Sequence, residues 1–463
     1  MLKGSILQRL DEAHRHGKRP LNFGVYYKNT LVALCHALED FILDANSAPL
    51  MVTAFQRGKW YLEEADRYSD LADKSEHVVL MATPDAGFDS HPTSKKENVS
   101  LVQLKPEDPV AEEWHLMILS PTYTAMVLCQ ELSPEDYGNQ KPKTDLERKF
   151  YGFWTFEPEL VQETVELAID HVSKYDPKLA QMITSKVAKM TAESATRQRD
   201  DLDAVVSQVI KYLQDSHNTL NQPQTGNFQG FQDLSENIVS NEMQAFLRMA
   251  QLLDATDVSN PMAASEVASM AEAMSQLLDL PAWQAKRLYL SGLLHRVGLP
   301  DVTRRNRRLG SAASRSQVQA ETLAHQSAPK ASVLRVMPQL EAVSKILTHQ
   351  REAWDGSGIP AGLAYDEIPL ESRIICLLAD FQQKMKAYKQ YSTDKNQNPT
   401  VQALTDCQAL AGKRYDPKLL DALSLLVMGM QQGMSLQAYR PKIATGMWLV
   451  DSGSVNKNKT TFS

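Results

Sequence analysis

The sequence predicts two modules of different class, an α/β N-terminal domain with a mixed sheet and an all-α C-terminal domain. Three observations carry this. Residues 20–175 alternate strand-like with helix-like segments, the strand signal vanishes after about residue 176, and helical patterns dominate 234–440. The expected boundaries are 1–178 for the first domain and 179–240 for a helical linker with a polar hinge. The helical domain follows over 241–440, and the tail over 441–463.

The first helix is NTLVALCHALEDFILDA (29–45), which sets Leu31, Leu34, Cys35, Leu38 and Ile42 near one face. PLMVTAF, HVVLMAT, VSLVQL, WHLMILS and TAMVLCQEL are short apolar runs rich in β-branched residues and bounded by turn formers, hence strands. KWYLEEADRYSDLADKS between the first two is helical. EPELVQETVELAIDHVSKY is another helix, opened at Glu157-Pro158 because proline suits a first turn. Residues 177–215 read as polar helix, and NTLNQPQTGNFQGFQ (218–232) reads as a hinge. EVASMAEAMSQLLDL, WQAKRLYLSGLLHRVGL and PKLLDALSLLVMGMQQ supply later helices. DSGSVNKNKTTFS is a polar tail.

A net charge of −7 and a pI near 5.9 argue against broad nucleic-acid binding. Cys35, Cys129, Cys376 and Cys407 are scattered with no CxxC pair, so buried reduced thiols are expected. No run suits a signal peptide or a membrane span, and a cytoplasmic protein is expected.

VYYKNTLVALCHALED, APLMVTAFQRGKWYLEEADRY, DPVAEEWHLMILSPTYTAMVLCQE and KFYGFWTFEPELV make residues 24–175 resemble the DICT sensory domain. The resemblance implies a signal-input module with no established catalytic chemistry. From the residues themselves, Gln56, Arg57, Glu113, Trp114 and His115, beside Phe55 and Trp60, are candidates for a sensory pocket in which arginine meets an anion. The competing reading makes both tryptophans core and His115 a hydrogen-bonded buried histidine.

SGLLHRVGLPD and HQREAWDGSGIPAGLAYDEIPLESRIICLLAD make residues 256–425 resemble the HD-GYP phosphodiesterases. That resemblance implies an HD-superfamily helical fold, two or three metal ions and hydrolysis of cyclic di-GMP. His295 keeps the histidine of the family's HD pair, but Arg296 stands for its aspartate. Leu299 replaces a lysine, Ala263 an early histidine and Ile359 the signature tyrosine. His325 fits the next histidine slot, and Asp380 keeps the last aspartate. The double histidine falls on Gln350 and Arg351, with His349 one position early and, on a helix, turned about 100° away.

Arginine stays protonated and repels a cation. No catalytic residue and no metal are therefore expected; a single divalent metal on His295, His325 and Asp380 is the alternative. Arg296 is expected to pair with Asp380. Gly356 and Gly358 are expected to allow a tight positive-φ turn, which gives DGSGIP a structural reason to persist.

Five arginines in TRRNRRLGSAASRSQ (303–317) read as a solvated loop, and the methionines of SLLVMGMQQGMSLQAYRP read as core. The leading functional expectation is a non-enzymatic signalling protein that acts through contacts with other signalling proteins, without membrane or nucleic acid. A homodimer through the linker helix is its expected assembly. The rivals are an altered metal-dependent phosphohydrolase and a regulator binding cyclic dinucleotides or nucleic acid through Arg296, Arg351 and the basic loop.

Overall fold

The computed structural model describes residues 1–15, 21, 23–44, 47–85, 87–137, 142, 145–194, 260–296, 340–391, 398–434, 436 and 438, with scattered positions between 205 and 254. The hinge 218–232, the basic loop 303–317, His325 and the tail lie outside them. The chain divides into two compact units between Gln244 and Ala245.

The first unit is built on seven strands: β1 (Gly24–Tyr27), β2 (Leu50–Phe55), β3 (His77–Ala82), β4 (Val99–Gln103), β5 (Glu113–Leu119), β6 (Thr124–Glu131) and β7 (Lys149–Thr155). Their order is β1-β7-β6-β5-β2-β3-β4. The pairs β2–β3 and β3–β4 are parallel and the rest antiparallel, so the sheet is mixed. α1 (Ile6–His14), α4 (Pro158–Ser173) and α5 (Pro177–Ser194) share one core with Val52, Ala54, Met117 and Leu128. α2 (Lys28–Asp44) and α3 (Gly58–Lys74) serve the other face, where strand alternation turns Thr53 toward Tyr68 at 3.3 Å.

All five apolar runs form strands, and the five apolar residues named for the first helix are buried in α2. Three differences stand out. β1 and β7 are additional strands at one side of the sheet, and α1 is an additional helix whose Ile6, Leu7 and Leu10 are fully buried. α5 is core rather than free linker, since Leu179, Ile183, Val187 and Met190 are buried. Finally, Asn241 serves this unit: its Nδ2 donates to Val25 O at 2.7 Å and its Oδ1 accepts from Tyr27 N at 3.0 Å, satisfying the outer groups of the edge strand.

In the second unit the described elements are helical: α6 (Ala263–Leu277), α7 (Ala282–Leu294), α8 (Glu341–Thr348), α9 (Leu370–Tyr391), α10 (Pro399–Gln408) and α11 (Pro417–Gln431). α6 and α7 approach closely at Gly292, where a Cβ would lie 2.6 Å from Ala268 Cα. Leu419, Leu420, Leu423, Leu426 and Val427 bury one face of α11. The methionine stretch is not simply core, for Met428 and Met434 are exposed. All four cysteines are free and buried.

Candidate functional site

His295 ends α7 as its C-cap, and its Nδ1 lies 2.7 Å from Gly292 O. Burial, reinforced by the charge of Arg296, pushes the imidazole down to about 4, so it is neutral at pH 7. Gln350 Nε2 donates to His295 O at 3.3 Å, bringing the segment after α8 onto the end of α7. α8 stops at Thr348, so His349, Gln350 and Arg351 occupy the following turn rather than a helix. His349 is drawn to Glu352, with Nδ1 and Oε1 3.3 Å apart.

The expected Arg296–Asp380 pair does not form. Arg296 Nη1 donates to Asp254 Oδ1 at 2.6 Å, and Asp254 Oδ2 accepts from Ala264 N in the first turn of α6. Asp380, on α9, instead accepts from Arg414 Nε at 3.0 Å and from the Tyr415 hydroxyl at 2.9 Å, both on Oδ2. The reason is positional: Tyr415 and Arg414 lie in the turn between α10 and α11, which the bridge between Ala411 and Tyr415 closes, and both reach the α9 carboxylate. Arg351 is half-buried in the turn after α8. Burial lowers its pKa, and the charge of Arg414 acts in the same direction.

The retained motif has a structural explanation on two levels. Trp354 N donates to Arg414 O and Asp355 N to Lys413 O, which fastens the motif to the turn before α11. Arg373, from the IPLESR stretch, lies over the Trp354 ring at 5.3 Å and bonds Asp416, the N-cap of α11. Gly356 takes φ +83°, as expected. Gly358 is needed for close approach instead, because a Cβ there would sit 2.1 Å from Ala353 N.

Among the described residues no three His, Cys, Asp or Glu side chains form a group able to hold a metal ion. The described donors do not fit the two- or three-metal centre that the sequence resemblance implies. The Arg414 guanidinium and the Tyr415 phenol already occupy Asp380 Oδ2. The one-metal alternative also requires His325, outside the described residues.

The sensory-pocket candidates separate. Trp114 and His115 are successive β5 residues and therefore point to opposite faces. Trp114 meets Phe150 edge-on at 5.4 Å. His115 is fully buried, but neither ring nitrogen has a hydrogen-bond partner, contrary to the satisfied histidine expected. Glu113 caps α1 by accepting from Leu7 N at 2.7 Å.

Gln56 instead joins a cluster the sequence did not suggest. Arg148 donates to Glu131 through Nε (2.8 Å) and Nη2 (2.7 Å) and to Gln56 Oε1 at 2.9 Å, with Trp60 stacked 4.4 Å away. Arg57 is exposed beside the same ring, 5.9 Å from its centroid. Only the RKFYGF context, basic next to aromatic, hinted at Arg148.

Known proteins place these units. Residues 4–132 match the DICT model, described as a sensory domain in diguanylate cyclases and two-component systems, and residues 233–419 match an HD domain model. Residues 144–222 match the C-terminal domain of a two-partite extracellular sensor domain. A cyclic di-GMP phosphodiesterase of Thermotoga maritima is 36% identical over 85 residues, 18% of this chain. The match covers 22% of that relative's own length. An HDG"Y"P protein from Bdellovibrio bacteriovorus aligns with 61% of this chain and 83% of its own, at 14% identity and a TM-score of 0.29. No helix among the described residues is long and apolar enough to cross a membrane. The chain thus carries a DICT sensory domain at its N-terminus and an HD domain at its C-terminus.

Proposed function

We propose that this is a non-enzymatic signalling protein, in which the DICT domain receives a signal and a catalytically degenerate HD domain passes it on by contact with other signalling proteins. The observation that carries the reading is the Asp380 site, where the family's ligand positions hold Gln350 and Arg351 and the surviving carboxylate is bonded to Arg414 and Tyr415. A cation placed there meets fixed positive charge and must displace two existing hydrogen bonds. The four buried free thiols support a reducing, cytoplasmic setting, which fractionation of the host cell tests.

A second reading, an altered metal-dependent phosphohydrolase, is favoured by the identity with the Thermotoga phosphodiesterase and by His295 and Asp380 remaining in register. Metal analysis of the purified full chain, with a cyclic di-GMP hydrolysis assay, separates the two. Sub-stoichiometric iron, manganese and zinc with no turnover is expected. One or more metal equivalents per chain, with turnover abolished in His295→Ala, would restore the enzyme. Capture of partners by the full-length protein from its host tests the contact-based output.

A further inference from the structure

Four cationic groups converge on a single indole in the DICT unit. From the centroid of the Trp60 ring, Arg148 Cζ lies 4.4 Å away, Lys59 Nζ 5.4 Å, Lys28 Nζ 5.5 Å and Arg57 Cζ 5.9 Å. They come from separate stretches of chain. Lys28 opens α2, Arg57 and Lys59 flank Gly58 at the start of α3, and Arg148 directly precedes β7. The carboxylates beside them are engaged. Asp145 bonds Lys28 and lies 3.6 Å from Arg148, Glu131 bonds Arg148, and Asp85 Oδ1 accepts from Lys59 N at 3.0 Å. Arg57 and Lys59 are exposed, and their side chains form no hydrogen bond or ion pair with any described residue.

This placement runs against local electrostatics. A helix N-terminus carries partial positive charge and favours acidic neighbours. Yet Arg57 is the N-cap of α3, its side chain makes no cap bond, and no acidic residue occupies the first turn. The first turn of α2, opened by Lys28, also lacks one. Like charges around one ring repel each other, and an exposed cation gains little from an indole face. An anion in their midst relieves both costs. α3 also leaves β2 at the carboxyl end of the parallel β2–β3 pair, the end at which open α/β sheets hold their ligands.

We infer that Arg57 and Lys59, beside Trp60, form an anion site at the start of α3 that takes a phosphoryl group. Arg57 supplies parallel N–H donors and Lys59 a compact ammonium. Lys28 and Arg148, held by Asp145 and Glu131, supply fixed positive charge rather than ligands. Cations from three stretches of chain suit a tetrahedral dianion, whose oxygens diverge, better than a planar carboxylate. Free phosphate and the phosphate of a nucleotide offer the same chemistry, and the nucleotide adds a base for Trp60 to stack on. Such a site names the chemistry of the signal, and so rests on the proposed input role of the DICT domain.

The test titrates full-length protein with inorganic phosphate at constant ionic strength, by calorimetry and tryptophan fluorescence. Acetate is the control anion, and adenosine monophosphate is a second arm. Saturable phosphate binding is expected, with a much weaker response to acetate and a fluorescence change that is lost in Trp60→Phe. Arg57→Gln and Lys59→Gln should each weaken binding by about 10-fold or more, as expected on losing charge-assisted hydrogen bonds. Both positions are exposed, so both variants should fold. Lys189→Gln, at an exposed position on α5, should leave the affinity unchanged. Tighter binding of the nucleotide than of phosphate would assign the source to a nucleotide, and equal or weaker binding to free phosphate.

No saturable binding of either phosphate compound, an equal response to acetate, or parental affinity in Arg57→Gln or Lys59→Gln would overturn the site. A fluorescence change that persists in Trp60→Phe would do the same. Turnover of cyclic di-GMP would instead sink the functional reading while leaving phosphate affinity at α3 untouched, so the two failures are distinguishable.

Discussion

Arginine meets a carboxylate in both units, with opposite consequences. In the DICT unit, Arg148 and Glu131 are each 9% exposed, joined by two parallel hydrogen bonds, and Gln56 and Trp60 complete the guanidinium's surroundings. In the HD unit, Arg414 and Asp380 are 37% and 28% exposed and share a single contact. The first pair is saturated, the second is left with donors to spare. Breaking a closed pair leaves a buried charge unmatched, while an open pair exchanges its partner for water at little cost.

Stability measurements on each unit's transition can break this contrast. Arg148→Ala should cost the DICT unit about 3–5 kcal/mol in denaturant unfolding, because it strands a buried carboxylate. A loss below about 1 kcal/mol, the range of an exposed pair, would show that the closed pair is not closed.

The next effect concerns His295, whose folded-state value near 4 lies below the ordinary 6.5. The unfolded chain takes up this proton first as the pH falls. The HD unit should therefore keep its full stability above pH 6.5 and lose about 3 kcal/mol on acidification toward pH 4. His295→Gln should flatten that part of the pH profile, as read by thermal melts from pH 7.5 to 4. An unaltered slope would mean that the imidazole is solvated.

Asn241 gives a smaller test of where the first unit ends. A fragment ending at residue 244 keeps the bonds to Val25 and Tyr27, whereas one ending at 217 loses them. The shorter fragment should be less stable by about 1–3 kcal/mol if those edge groups go unsatisfied. Equal urea midpoints would remove Asn241 from the unit's structural requirements.

The smallest expected changes sharpen the comparison itself. Arg414→Ala should cost the HD unit no more than about 1 kcal/mol, well below Arg148→Ala, because its pair is open. Arg57→Ala, at an exposed position, should stay within about 0.5 kcal/mol of the parent. A large loss from Arg414→Ala would make its pair as structural as the one in the sheet.

Much of the architecture was legible because it is local. The continuous apolar run of HVVLMA and the apolar stripe in TLVALCHALEDFI identify a strand and a helix within a few residues. β1 escaped because four residues, GVYY, give too short a signal, and its pairing with Lys149–Gly152 spans more than a hundred residues. α5 looked like a linker because its apolar stripe is interrupted by lysines, yet that stripe completes the core beside α4. At the site, the substitutions at 296, 350 and 351 were visible directly. Arg414 was not, since no motif marks it.

The sequence by itself determined the α/β-then-helical order and the presence of Arg296, Gln350 and Arg351 where the resemblance places metal ligands. It could not determine which carboxylate each arginine would meet. Arg296 reaches Asp254 across 42 positions, and Arg414 reaches Asp380 across 34. Periodicity reports the geometry of one element, but such pairs depend on how several helices and turns pack together. That packing also decided that Arg351 would remain half-buried without a described counterion.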